Sequence, residues 1–213
     1  MNKKKKCLLL CAMIGTLSAC GNTPTQADAE SAAMATIDQK ALPPLSEDLQ
    51  ELYEGAYQIY YQISFGAFDY DEAATLKKND LLYYKITDAR FQTYDAFRTY
   101  LLQYFTESFV DNSILCEDNL LFTASEDGYL YSLPGGRGTN IFYAGHTFEI
   151  EKKNENTISL LATAYYTNSN EAFGDKHFYT APKKPEDYTT QQFRFVLQKE
   201  AGQWKYNTFH LFF

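Results

Sequence analysis

Cys116-Glu117-Asp118-Asn119-Leu120-Leu121-Phe122-Thr123-Ala124-Ser125-Glu126-Asp127-Gly128-Tyr129-Leu130-Tyr131-Ser132-Leu133 decides the fold, because the hydrophobic period of the chain changes across it. From here onward apolar and polar residues alternate, which is the period of a half-buried strand. Leu120 to Ala124 and Tyr129 to Leu133 read as two strands, and Glu126-Asp127-Gly128 supplies the hairpin turn between them. Downstream, Phe148 and Ile150 alternate with Thr147, Glu149 and Glu151, and Asn154-Glu155-Asn156 turns the chain into Thr157 to Tyr166. Phe193, Phe195 and Leu197 alternate with Arg194 and Gln198, and Ala201-Gly202 leads into Trp204, Tyr206 and Thr208.

Upstream the period is helical. Ser46 stands before Glu47 and Asp48, acids that favour the positive end of a helix dipole, and Leu49, Leu52, Tyr53, Ala56, Tyr60 and Ile63 follow on one face. Leu81 to Ile86 reads as a short strand. Thr93 caps a second helix with Phe97, Tyr100, Leu101 and Tyr104 as its apolar stripe, and Thr106 restarts a turn or two through Phe109, Val110 and Ile114. Helices followed by antiparallel strands predict an α+β domain, its N-terminal helices packed on one face of a curved antiparallel β-sheet meander. That order is compatible with a cone-like fold related to nuclear transport factor 2, although order alone does not establish it.

The N-terminus carries a processing signal. Lys3 to Lys6 form a positive region, Cys7 to Thr16 a short apolar run, and Leu17-Ser18-Ala19-Cys20-Gly21 closes it, the order of a signal peptide over residues 1–19. The apolar run is far shorter than the ~20 residues that span a bilayer as a helix. The small residues before Cys20, with Leu17 three positions ahead, resemble a lipobox, so Cys20 is expected to carry the lipid that anchors the mature chain to the outer face of the cell membrane. Residues 20–44 hold Thr, Ala, Gln and Ser with Pro24, Pro43 and Pro44, and read as a flexible tether to a single domain at 45–213. Removing the four signal-peptide lysines takes the basic count from 19 to 15 against 27 acids, a net charge of −12. Such a charge argues against nucleic acid and anionic lipid; it favours a basic protein partner or serves solubility alone.

Catalytic motifs fail one after another. His146, His177 and His210 fall in no HExxH and no CxxC is present, so no metal and no cofactor are expected. Cys116 beside Leu115 reads as a small core residue, and no GxSxG or Cys-His pair can be assigned, so the chain is not expected to be an enzyme. Pro134-Gly135-Gly136-Arg137-Gly138 matches a phosphate loop in glycine content only, since no Lys-Ser/Thr opens a helix after it. Its glycines leave the backbone free and put one planar, fork-shaped donor at the tip; Arg137 either pairs with a nearby carboxylate or makes this a recognition loop. The 18 Tyr and 16 Phe sit mostly at core spacing, which favours packing over glycan stacking.

Leu82-Tyr83-Tyr84-Lys85-Ile86-Thr87-Asp88-Ala89-Arg90-Phe91, Thr93-Tyr94-Asp95-Ala96-Phe97 and Leu101-Leu102-Gln103-Tyr104-Phe105-Thr106, with Asp127-Gly128-Tyr129-Leu130-Tyr131 and Gly136-Arg137-Gly138, resemble in order the IseA-type DL-endopeptidase inhibitors, many of them lipoproteins of low-GC Gram-positive bacteria. The resemblance covers roughly residues 46 to 213. It implies binding to NlpC/P60-type cysteine peptidases that cut peptidoglycan stem peptides, with the peptidase cleft blocked and autolysis restrained. It does not place inhibitory residues one by one; Gly135, Gly136, Arg137 and Gly138 are the candidate contact loop. Two other readings stay open: a cone-fold ligand binder or isomerase-like protein, with Arg194, Tyr206 and His210 converging in a pocket, and a structural envelope lipoprotein.

Overall fold

A computed structural model describes residues 45–135, 140–168, 181 and 184–212. The expected signal peptide, Cys20 and the tether lie outside the described residues. The chain forms α1 (Glu47–Phe65), β1 (Tyr70–Lys78), β2 (Leu81–Ile86), α2 (Tyr94–Leu101), the short α3 (Glu107–Phe109) running into a π turn at Val110–Ile114, β3 (Phe122–Ala124) and β4 (Leu130–Ser132). It continues through β5 (Tyr143–Lys153), β6 (Thr157–Thr167), β7 (Tyr188–Glu200) and β8 (Gln203–Thr208). This is the α+β architecture expected, with the helices early in the chain, but the strands divide into two antiparallel sheets of order β1-β2-β4-β3 and β5-β6-β7-β8.

The second sheet is the meander read from the sequence. Along β6, Ile158, Leu160, Ala162 and Ala164 are buried and alternate with more exposed residues. Register shifts between Tyr143 and Gly145, between Ile150 and Lys152, and between Val196 and Leu197 bend it, since an extra residue in one strand kinks the ladder. β1 has no counterpart in the sequence reading. Its residues are mostly exposed on both faces, so it carries no side-chain period; the backbone ladder to β2 and a turn at Asn79-Asp80, both with positive φ, hold it as an edge strand.

Helix α1 joins the two sheets. Toward the second sheet, Tyr53 meets Phe148 edge-on at 5.0 Å and Phe209 at 5.8 Å, inside a cluster that includes Phe195, Tyr206 and Phe212. Toward the first, Phe68 packs edge-to-face on Phe91, Phe97 and Phe122 at 5.8 to 6.2 Å. Tyr60 packs on both Phe105 and Phe209, extending the second cluster along α1. Ring pairs of this geometry add about 0.5–1.5 kcal/mol each beyond their buried area, so the aromatic count is spent on two cores rather than on surface platforms.

The caps follow the sequence with one difference. Thr93 Oγ1 accepts from Ala96 N at 3.1 Å and Thr106 Oγ1 from Phe109 N at 3.2 Å, whereas the Ser46 side chain makes no capping bond. Thr106 also donates to Asn207 Oδ1 at 2.9 Å, and its N–H reaches Tyr206 O, fastening the helical segment to β8. The Asp88-Ala89-Arg90 turn has a comparable role: Asp88 takes Arg90 Nε and Nη2 while the same guanidinium donates to Tyr100 Oη and Gln62 Oε1. This ties the end of β2 to α2 and α1, and the guanidinium holds the Asp88 carboxyl below the usual carboxylate range.

Candidate functional site

The glycine-rich segment leaves the first sheet just after β4, and its root is tightly built. Leu133 N donates to Leu121 O at 2.9 Å, and Ser132 Oγ donates to Leu133 O at 3.0 Å. Tyr70 Oη donates to Gly66 O at 2.9 Å and lies 3.4 Å from Leu133 O, so a β1 side chain spans the end of α1 and the start of the segment. Gly66 closes α1 in the left-handed conformation, φ +58°, with the N–H of Ala67 returned to Gln62 O. Here two backbones touch: a Cβ on Gly66 would come within 2.4 Å of Gly135 Cα, and one on Gly135 within 2.6 Å of Phe65 O. Only paired glycines allow this approach.

The far root is fixed as well. Asn140 Oδ1 accepts from Phe142 N at 3.0 Å, Tyr143 N donates to Asn140 O, and Thr167 N donates to Phe142 O. Beside these bonds Ile141 is 58% exposed. Of the four predicted loop residues, Gly135 is placed in the near root against Gly66, exposed to solvent; Gly136, Arg137 and Gly138 lie outside the described residues. Gly66 and Tyr70 escaped the sequence reading. A glycine just after an apolar helical period signals a helix end, yet its contact with Gly135 joins positions 69 residues apart, which no local pattern reports.

The alternative pocket is not assembled. Arg194 faces outward and pairs with Glu151 at 2.8 Å, Tyr206 is buried among the aromatic residues, and His210 is exposed beside Phe193. Arg194 and a bond from Ser159 draw the Glu151 carboxyl down to about 2. His146 is buried, 1% exposed between Tyr53 Oη at 3.3 Å and Tyr143 Oη, with Phe212 over its ring at 4.1 Å. Burial pushes its pKa down to about 3, which keeps the imidazole neutral as a hydrogen-bonded member of the core. Among the described residues no three of His, Cys, Asp and Glu gather as metal ligands. Cys116, expected in the core, is half-buried at the edge of a surface cleft of about 350 Å³, in a stretch whose neighbours Glu117 and Asp118 are exposed. No helix among the described residues is long and apolar enough to cross a membrane.

What this arrangement can do chemically is hold a surface rigid. A family model described as IseA DL-endopeptidase inhibitor matches residues 43–210. No curated protein matches the sequence.

Proposed function

The chain belongs to the IseA DL-endopeptidase inhibitor family, and from that premise we propose that it is a lipoprotein, anchored through Cys20 at the outer face of the cell membrane, that blocks NlpC/P60-type peptidoglycan peptidases and restrains autolysis. The observation that carries this reading is the family match across 43–210, which takes in every described element from α1 to β8. Family membership supports reading the protein as an inhibitor of an enzyme rather than an enzyme. The segment Gly135-Gly136-Arg137-Gly138 is the proposed contact, and the bracing of both its ends supports that choice. A loop whose roots are already ordered gives up less conformational entropy on docking, and each rotamer-rich side chain spared is worth about 0.5–1.5 kcal/mol.

Inhibition of this kind needs no covalent step. The loop enters the substrate cleft, Arg137 supplies a fork of donors, and the peptidase is blocked one-to-one without turnover. A surface of net charge −12 after processing steers a basic hydrolase toward it, raising the association rate at low salt more than the final affinity. The test is cleavage of peptidoglycan by a purified NlpC/P60 peptidase of the same organism, titrated with the full chain in detergent. Loss of cleavage saturating near one-to-one, weakened by Arg137→Ala, is expected. Cleavage that continues unchanged at a large excess of the chain refutes the reading.

A further inference from the structure

Helix α1 ends against the start of the glycine-rich segment, and one hydroxyl ties the two together. The Gly66 carbonyl lies past the last turn of α1, beyond the helical ladder, and takes the Tyr70 Oη–H at 2.9 Å. The same Oη lies 3.4 Å from Leu133 O, which also accepts from the buried Ser132 Oγ at 3.0 Å. The Tyr70 ring is itself held, edge-on to Phe68 at 6.5 Å and to Tyr84 at 6.2 Å, and its backbone pairs with Ile86 at the start of β1. The hydroxyl is therefore delivered from a fixed strand rather than from a swinging side chain.

What it fixes is a contact with no means of fixing itself. Gly66 and Gly135 meet backbone to backbone, so closely that a Cβ on either would lie 2.4 to 2.6 Å from the Cα of the other. Glycine has the least restrained backbone of any residue, and a contact between two of them has no side chains to interlock. Its register is set from outside, by hydroxyls on the carbonyls to either side: Tyr70 on Gly66, and Ser132 with Tyr70 on Leu133, two residues before Gly135. Gly135 is the first of the four proposed contact residues, so whatever holds Gly66 and Leu133 decides where the contact loop starts.

We propose that Tyr70 is a positioning residue for peptidase recognition: its hydroxyl, shared between Gly66 O and Leu133 O, sets the direction in which the glycine-rich segment leaves the first sheet and so presents Arg137 to the peptidase. This rests on the inhibitor reading above and assigns a part in it to a residue of the edge strand, outside the loop. The hydroxyl acts by ordering the loop root before docking, which spares entropy that binding would otherwise cost.

The experiment is a double-mutant cycle on the full chain, with Tyr70→Phe, Arg137→Ala and the two together, read as affinity for an NlpC/P60 peptidase and accompanied by melting temperatures. Tyr70→Phe keeps the ring and its contacts and loses only the hydroxyl. It is expected to weaken binding about three- to tenfold beside the native Arg137, the worth of one hydrogen bond, and by less than about twofold in the Arg137→Ala background. A hydroxyl that only stabilised the fold would lower the melting temperature and leave the same factor in both backgrounds. In the free chain, hydrogen exchange at the Leu133 and Gly135 amides should quicken in Tyr70→Phe while that of Ile158 to Ala164 in β6 does not. Native-like binding by Tyr70→Phe, an equal loss in both backgrounds, or unchanged exchange at Leu133 and Gly135 overturns the proposal. If Arg137→Ala alone binds like the native chain, the contact loop falls and this role of Tyr70 with it, while inhibition stands. If the native chain neither binds nor inhibits, the inhibitor reading fails, and the exchange measurement alone decides whether Tyr70 orders the segment.

Discussion

Taking the protein from pH 7 to pH 5 should cost it about 2 kcal/mol of stability through His146. In the unfolded chain an imidazole titrates near ~6.5, whereas in the fold burial holds His146 down to about 3. Below pH ~6.5 the unfolded state therefore takes up a proton that the native state refuses, and stability falls by about 1.4 kcal/mol per pH unit until the native imidazole itself titrates. Two carboxylates lowered in the fold act below this window. Glu151 titrates at about 2 in the fold and Asp88 is lowered by Arg90, so what they contribute is lost only at more acid pH. The assay is urea unfolding followed by far-UV circular dichroism at pH 7, 6 and 5, alongside His146→Gln, which keeps hydrogen-bonding capacity toward Tyr53 and Tyr143 but cannot titrate. In a domain of this size the loss corresponds to about 4–8 °C in melting temperature. Partial desolvation of the His210 ring, packed beside Phe193 and Phe195, shifts it in the same direction, so His146→Gln should retain a shallow slope. If the variant loses stability between pH 7 and 5 as steeply as the native protein, the buried-neutral account of His146 is wrong.

Gly66→Ala puts a Cβ on a residue at φ +58° and drives it into Gly135, so it should lower stability by about 1–2 kcal/mol from backbone strain alone and weaken peptidase inhibition further, read by thermal melting and the cleavage assay together. Ala201 occupies the left-handed region, φ 49°, in the β7–β8 turn, so Ala201→Gly should stabilise the fold by up to about 1 kcal/mol of relieved strain, read as a higher melting temperature, with inhibition unaltered. Thr106→Ala removes a helix cap and the bond to Asn207, and should cost about 1–2 kcal/mol in chemical unfolding. Thr106→Ser keeps the hydroxyl and should recover most of that loss.

Elements whose side chains repeat with the period of their secondary structure were legible in the sequence. Helix α1 falls where Leu49, Tyr53, Ala56 and Ile63 place it, and the hairpins at Asn154 to Asn156 and Ala201-Gly202 fall where turn residues interrupt two alternating runs. The edge strand β1 was not legible, because Asp71 to Lys78 owe their strand to hydrogen bonds with β2 and not to a buried face. Nor was the division into two sheets: a period-two pattern says that a strand has a buried side, but not which neighbour covers it.

The candidate site divides along the same line. Three glycines and one arginine between strands marked the loop from sequence alone, and the order of short motifs pointed to the family, because turn chemistry and strand order are properties of neighbouring residues. Only the tertiary structure could bring Gly66 against Gly135, or lay the Tyr70 hydroxyl between Gly66 and Leu133. Each of these joins residues distant in the chain through a packed core, and a packing contact leaves no period in the sequence for the eye to find.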